Sequence, residues 1–223
     1  MSEDEKFSVD TEKLKNETKE TVNQVKDTIK NVDFKKDTEE TKGFLKEMFS
    51  DPFEAVRKVA SGEENVLKKA IMIMIIFIAA SVVYELISLI KYGKYSGIGD
   101  NLLDLVASVL NPIFYIVVPS LVILIMNKNS KKSLTTVIST LVVTSVPVVI
   151  NHIIDIIEIL VSGITIISGP ISTALSAVAL VLTYFGMKDL FEENDDSSFI
   201  KKYAIIKLVA AFVLVILGRI GIY

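Results

Sequence analysis

An all-α integral membrane bundle of five transmembrane helices behind an N-terminal charged helical arm is the fold class that two features of the sequence predict. The first is partition: residues 1–69 hold 14 Lys/Arg and 17 Asp/Glu, while the other 154 residues of the 223 hold 10 and 10. The second is the length of the apolar runs after Lys69, each near the ~20 helical residues that cross a hydrocarbon core about 30 Å thick. The mean hydropathy of +0.50 is the average of these two unlike parts. The predicted organisation is a charged, partly disordered or helical cytosolic arm over 1–43, an amphipathic interfacial helix over 44–62, and a five-span membrane domain over 63–223.

The first span is predicted over residues 70–90, bracketed by Lys68, Lys69 and Lys91. Its one charge is Glu85, and its 12 Ile, Leu, Val and Phe residues, at about −0.3 to −0.6 kcal/mol each, outweigh the roughly 2.5–3.5 kcal/mol of a central charge. The second span, 103–126, contains Asn111-Pro112 and Pro119, which predict kinks. Leu134 to Met187 is 54 residues, about 81 Å as helix, which suffices for two spans but not three. These are placed at 134–154 and 166–187, with Asp155 to Thr165 as an amphipathic or re-entrant link. The fifth span is 203–223.

With the N-terminus inside, ten Lys/Arg of the short loops and flanks fall on the cytoplasmic side, from Arg57 to Lys202, and three outside: Lys91, Lys94 and Arg219. That asymmetry predicts a cell-membrane protein with a cytoplasmic N-terminus and an extracytoplasmic C-terminus. The opening MSEDEKFSVD is acidic and has no apolar core, so no cleaved signal is expected and the first span acts as the anchor.

In the arm, FLKEMFSDPFEAVRKVA (44–60) segregates fully on a helical wheel. Phe44, Leu45, Met48, Phe49, Phe53 and Val56 share one half, and the charged residues share the other. Asp51-Pro52 reads as an N-cap followed by Pro at the first helical position, so two short helices meet near Ser50. Such a face lies either on the cytoplasmic leaflet or against the protein's own bundle. Residues 11–33 carry a narrow stripe of Leu14, Val22, Val25, Ile29 and Val32, too thin for an independent fold. The stripe serves as a solvated spacer or as a partner-docking or self-associating segment.

Composition and motifs exclude much chemistry. There is no Cys and one His, which leaves no disulfide framework, thiolate site or cysteine nucleophile. A net charge of −3 argues against nucleic acid as a partner. No P-loop, GxSxG or HExxH is present, so no enzyme activity and no cofactor are expected. Gly93, Gly97 and Gly99 read as a turn between spans. His152, Asp155 and Glu158 do not converge on a helix, so no metal site is expected. Small residues from Ser172 to Ala179 suit close helix packing in lipid. The remaining candidates are intramembrane polar groups: Glu85, Asp104, Asn111, Asn151 and Arg219, with Arg219 pairing with Glu85 or Asp104. The rival expectation is that these charges snorkel to interfacial water.

FLKEMFSDPFEAVRKVAS, followed by five spans and by ALVLTYFGMKDLF and KKYAIIKLVAAFVLVIL, resembles the bacterial branch of the Yip1 domain family over about residues 44–216. The resemblance implies an integral membrane scaffold linked to membrane organisation, with the bilayer and protein partners as its contacts and no catalytic residues. The Asp-Leu-Ala-Gly-Pro signature of eukaryotic members is missing, with only Gly169-Pro170 in a different place, so their Rab GTPase binding is not implied. The alternative function is a small transporter or channel component with a polar path along Asn111, Pro112, Pro119, Pro147 and Asn151.

Overall fold

The computed structural model describes residues 11–62, 66–92, 98–127, 132–161, 165–193 and 195–219. Among these every regular element is an α-helix: α1 (Thr11–Lys30), α2 (Phe34–Ser50), α3 (Pro52–Ser61), α4 (Leu67–Tyr92), α5 (Ile98–Met126), α6 (Leu134–Thr144), α7 (Val146–Leu160), α8 (Thr165–Phe191) and α9 (Asp196–Arg219). Of the turn expected at Gly93, Gly97 and Gly99, Gly93 and Gly97 lie outside the described residues, and Gly99 is instead in the first turn of α5.

Among the described residues three helices are long and apolar enough to cross a membrane: Leu67–Lys91, Asn101–Met126 and Ser168–Phe191. The pair α6 and α7, bent by 42°, makes a fourth if it is one span. α9 opens on Asp196 and carries Lys201, Lys202 and Lys207, which shortens its apolar stretch. Exposed apolar residues occur on each of α4, α5, α8 and α9, among them Val83 and Leu86 of α4, Val106 and Val109 of α5, Val178 and Val181 of α8, and Leu208 and Phe212 of α9. A water-facing bundle would present charge there. The pattern is compatible with a membrane protein.

α6 occupies the centre. Thr140, Val142 and Val143 are fully buried, and α6 touches α3, α4, α5 and α8. Its break from α7 falls at Ser145, just before Pro147, because Pro147 has no N–H for the Val143 carbonyl and its ring crowds that turn. α7 then runs on to Leu160, so residues 155–160 of the expected link are helical, while residues 162–164 lie outside the described residues. The charges that suggested a link sit on the helix: the His152 ring lies 3.7 Å from Asp155, and the Ser168 hydroxyl donates to Glu158 at 2.7 Å. α5 continues as one helix through Pro112 and Pro119.

The arm is folded onto the bundle. Asp33 caps α2 by accepting from the N–H groups of Lys35 and Lys36, and Asp37 returns the bond by accepting from the Asp33 N–H at 3.0 Å. The helix therefore begins at Phe34, and the boundary expected between residues 43 and 44 falls inside it. Asp51 accepts from the Glu54 N–H at 3.0 Å, Pro52 opens α3, and Gly62 closes it at φ +80. The junction at Ser50 is where Asp51-Pro52 predicts it. α3 lies against α6 and α8 and buries Ala55, Val56, Val59 and Ala60. Removing the two valines from water is worth about 3–6 kcal/mol. Lys132 fastens this end by donating to the Ser61 carbonyl at 2.9 Å. α1 touches the starts of α4 and α6 less extensively, with Gln24 accepting from the Thr135 hydroxyl at 2.8 Å.

Candidate functional site

The face expected at a membrane surface is divided by the fold. Phe44, Met48 and Val56 are buried in the protein core, and Leu45 packs partly against it. Buried in protein, these side chains are not available to lipid, and of the two readings of this face the fold favours packing against the bundle. Phe49 and Phe53 remain exposed, at 67% and 49%, and Phe53 meets Phe185 of α8 edge-on at 5.1 Å. On the arm's outer surface Val22, Ile29 and Phe34 are also exposed, while Val25 and Val32 are half-buried.

At the opposite end of the bundle a crevice of about 370 Å³ lies between α4, α5 and α7. α4 contributes Phe77, Ser81, Tyr84 and Glu85, a spacing of four, three and one that lines one helix face. α5 contributes Asp104, Ser108, Asn111 and Tyr115 at the same kind of spacing, and α7 contributes Val148 and His152. Pro112 also lines it and withholds the N–H that would bond the Ser108 carbonyl one turn earlier. Lys91 Nζ donates to the Ile159 carbonyl, tying the ends of α4 and α7 together beside it.

Three of the five intramembrane candidates therefore share one cavity: Glu85, Asp104 and Asn111. Asn151 does not line it; its amide faces Asp155 on its own helix at 3.4 Å. The side chain of Arg219, and with it the pairing expected with Glu85 or Asp104, lies outside the described residues. Glu85 is half-buried and Asp104 exposed. The crevice walls are aromatic: the Phe77 ring is 6.3 Å from Tyr115 and 5.3 Å from His152, and Tyr84 is 6.4 Å from His152. Ser108 satisfies its hydroxyl on the Leu105 carbonyl at 2.8 Å. The Ser81 hydroxyl and the Asn111 carbonyl oxygen are buried with no hydrogen-bond partner, a costly condition for groups out of water.

Sequence reasoning missed Ser81, Ser108, Tyr84 and Tyr115 as residues lining one cavity with these carboxylates. A signal was present, because Ser81 and Glu85 on α4, and Asp104, Ser108 and Asn111 on α5, form polar stripes at helical spacing in otherwise apolar segments.

A second cavity of about 150 Å³ lies between α5, α6, α8 and α9, with Tyr115 common to both. It is lined by Pro119, Thr144, Ser145, Thr183 and Lys207, and the Lys207 ammonium stands 5.6 Å from the Tyr203 ring. At the arm end a third hollow joins Arg57, Lys132 and Lys188 with Asp189, Glu192 and Glu193. Its charges are paired in part, Lys132 with Glu192 at 3.4 Å and Lys188 with Asp196 at 2.5 Å. Among the described residues no group of three His, Asp or Glu side chains is placed to hold a metal ion.

Comparison of the chain with protein families, with curated proteins and with solved structures gave no match.

Proposed function

We propose that the chain is a non-enzymatic, five-span scaffold of the cell membrane, of the Yip1 type, whose cytoplasmic arm is a folded cap that recruits partners to the membrane surface. The observation that carries this reading is the burial of α3 between α6 and α8, which makes the arm part of the bundle. A cap held in this way presents α1 and the outer face of α2 in a fixed position. α9 supplies the fifth span in this reading: it leaves the arm end, packs along α5, and has an apolar stretch beyond Lys207. The Lys/Arg asymmetry supports an arm inside and Tyr223 outside.

The test is affinity capture after crosslinking in membranes, comparing the full chain with a variant lacking residues 1–33, which keeps α2 and α3. Proteins lost with α1 while membrane insertion persists are the result expected of an adaptor. Identical sets from both forms would defeat the reading.

A transporter or channel component is the second reading, favoured by the unpartnered Ser81 and Asn111 oxygens in a cavity between membrane helices. Solute flux into proteoliposomes that is lost in Asn111→Leu supports it. Flux indistinguishable from empty vesicles rules it out.

A further inference from the structure

We propose that the crevice between α4, α5 and α7 binds a small organic cation carrying N–H donors, a primary or secondary ammonium. Two carboxylates, Glu85 and Asp104, line one cavity, and among its described lining residues there is no Lys or Arg. Negative charge of this density next to apolar helices calls for a counter-cation. Independently, Ser81 is only 8% exposed, lines the cavity, and its hydroxyl has no partner. The Asn111 carbonyl oxygen is in the same condition in the same cavity. The Asn111 side-chain oxygen can only accept, and the Ser81 hydroxyl can accept as well as donate, so a donor satisfies both.

Size and wall chemistry narrow the class. Glu85, Asp104 and His152 share the cavity without coming close enough to hold a common metal ion. About 370 Å³ is roughly ten times the volume share of one water molecule, room for several heavy atoms. The rings of Phe77 and Tyr115 line the cavity, and aromatic rings attract organic cations. A quaternary ammonium would meet the rings and the carboxylates but would leave Ser81 and Asn111 unsatisfied. An ammonium with N–H groups meets all of them. The same group occurs on free amines and on the headgroup of phosphatidylethanolamine.

Binding is independent of the scaffold reading and deepens only the transport reading. A crevice that binds without flux leaves the site standing and removes transport, so the two failures are distinguishable. The experiment is calorimetric titration of the full-length protein in phosphatidylglycerol nanodiscs with ethanolamine hydrochloride, against tetramethylammonium chloride at equal ionic strength. The expected result is saturable ethanolamine binding, at least tenfold tighter than tetramethylammonium. Ser81→Ala and Asn111→Leu should each weaken it at least threefold. Asp104→Asn, at an exposed position whose loss does not disturb packing, should weaken it as well. Discs containing phosphatidylethanolamine distinguish the sources: a large drop in apparent ethanolamine affinity identifies the headgroup as occupant, and no change identifies a free amine. Absence of saturable binding, equal binding of tetramethylammonium, or unchanged binding in all three variants would overturn the proposal.

Discussion

Gly186 is the position where the docking of the arm is most directly testable. A Cβ added there would lie 2.9 Å from Cγ2 of Thr140, 2.9 Å from Cγ1 of Val56 and 3.1 Å from Cγ2 of Thr144. Relaxed carbon–carbon contacts are about 3.5–4.0 Å. All three neighbours are β-branched, stiff at χ1, and at most 1% exposed, so none can swing aside. The least costly relief is to move α3, a ten-residue helix, off α6 and α8. Overpacking costs about 1–3 kcal/mol, and Gly→Ala in a helix returns about 1 kcal/mol of propensity. Gly186→Ala is therefore expected to loosen the arm by up to about 2 kcal/mol, and Gly186→Leu to release it.

Trypsin reads this opening, because Arg57 and Lys58 lie on α3 and are cut only when the helix unwinds. Where opening is fast relative to cleavage, the rate follows the open population, and every 1.4 kcal/mol is about tenfold. Cleavage up to about thirtyfold faster is expected in Gly186→Ala, and cleavage as in an unfolded segment in Gly186→Leu. The double variant Gly186→Ala with Val56→Ala should lose less than the two singles together, because one clash has been removed, with a coupling of at least about 0.5 kcal/mol. Wild-type protection in Gly186→Leu would refute the packing of α3 against α8.

Three further outcomes follow from the same geometry. The Lys58 ammonium donates to Glu47 at 2.6 Å, and this bond, then the charge of Lys58, holds the Glu47 carboxyl below the usual glutamate range. Its contribution is present above the unfolded glutamate value and is lost as pH falls through the lowered folded value. Tryptic or peptic release of the arm should therefore rise at acid pH, and Glu47→Gln should remove that part of the pH dependence. Asp37 is 2% exposed, accepts from the Asp33 N–H, and lies 3.8 Å from Lys68. Asp37→Ala should cost about 1–2 kcal/mol by loss of the cap bond, read as a lower unfolding midpoint by circular dichroism, with Asp37→Asn intermediate; wild-type midpoints in both would remove the cap's role. Reporter fusions after Met126 and Tyr223 should read inside and outside respectively, and a cytoplasmic Tyr223 reporter would mean that α9 does not cross.

What the sequence makes legible here is what local chemistry decides. Asp51-Pro52 places the junction of α2 and α3 because an acceptor side chain and a preset φ act within one turn. The apolar runs place α4, α5 and α8 because length and hydropathy suffice for insertion. The partner of an amphipathic face is a different kind of fact. The wheel of 44–60 shows that Phe44, Met48 and Val56 need an apolar surface, and lipid and α8 satisfy that need equally well in sequence terms. Gly186, 130 residues downstream of Val56, makes room for α3 on the bundle. The crevice is legible by halves for the same reason: the polar stripes on α4 and α5 can be read, but their meeting depends on how the helices are turned. The extension of α7 past Asp155 went unread because charge was weighed as a helix boundary, and Ser168, one helix on, accommodates Glu158.

The break at Ser145 links the two ends of the molecule, and its chemistry explains why a broken helix is tolerated at the centre of the bundle. Pro147 deprives the Val143 carbonyl of its usual donor, and in a dry interior that oxygen needs another. The Ser145 N–H is shared between the Leu141 and Val142 carbonyls, at 3.1 Å each. The Thr144 hydroxyl donates to Leu141 at 3.0 Å and the Ser145 hydroxyl to Val142 at 2.7 Å. With the Leu141 and Val142 carbonyls beside the break supplied, the chain turns through 42° and carries Val148 and His152 into the crevice wall. Pro147→Ala restores the N–H and removes the ring, so the bend should relax and His152 should move away from Phe77. His152 is the one histidine in the chain, so its ring-proton resonance is a single, assignable reporter. Its shift in the wild type should carry the ring current of Phe77, 5.3 Å away, and should move toward the value of a free imidazole in Pro147→Ala. Ser145→Ala should lower stability by about 1–2 kcal/mol through the lost hydroxyl bond while leaving the resonance in place, since Pro147 still sets the bend. An unchanged histidine shift in Pro147→Ala would mean that packing against α4 and α8, rather than the proline, directs α7 to the crevice.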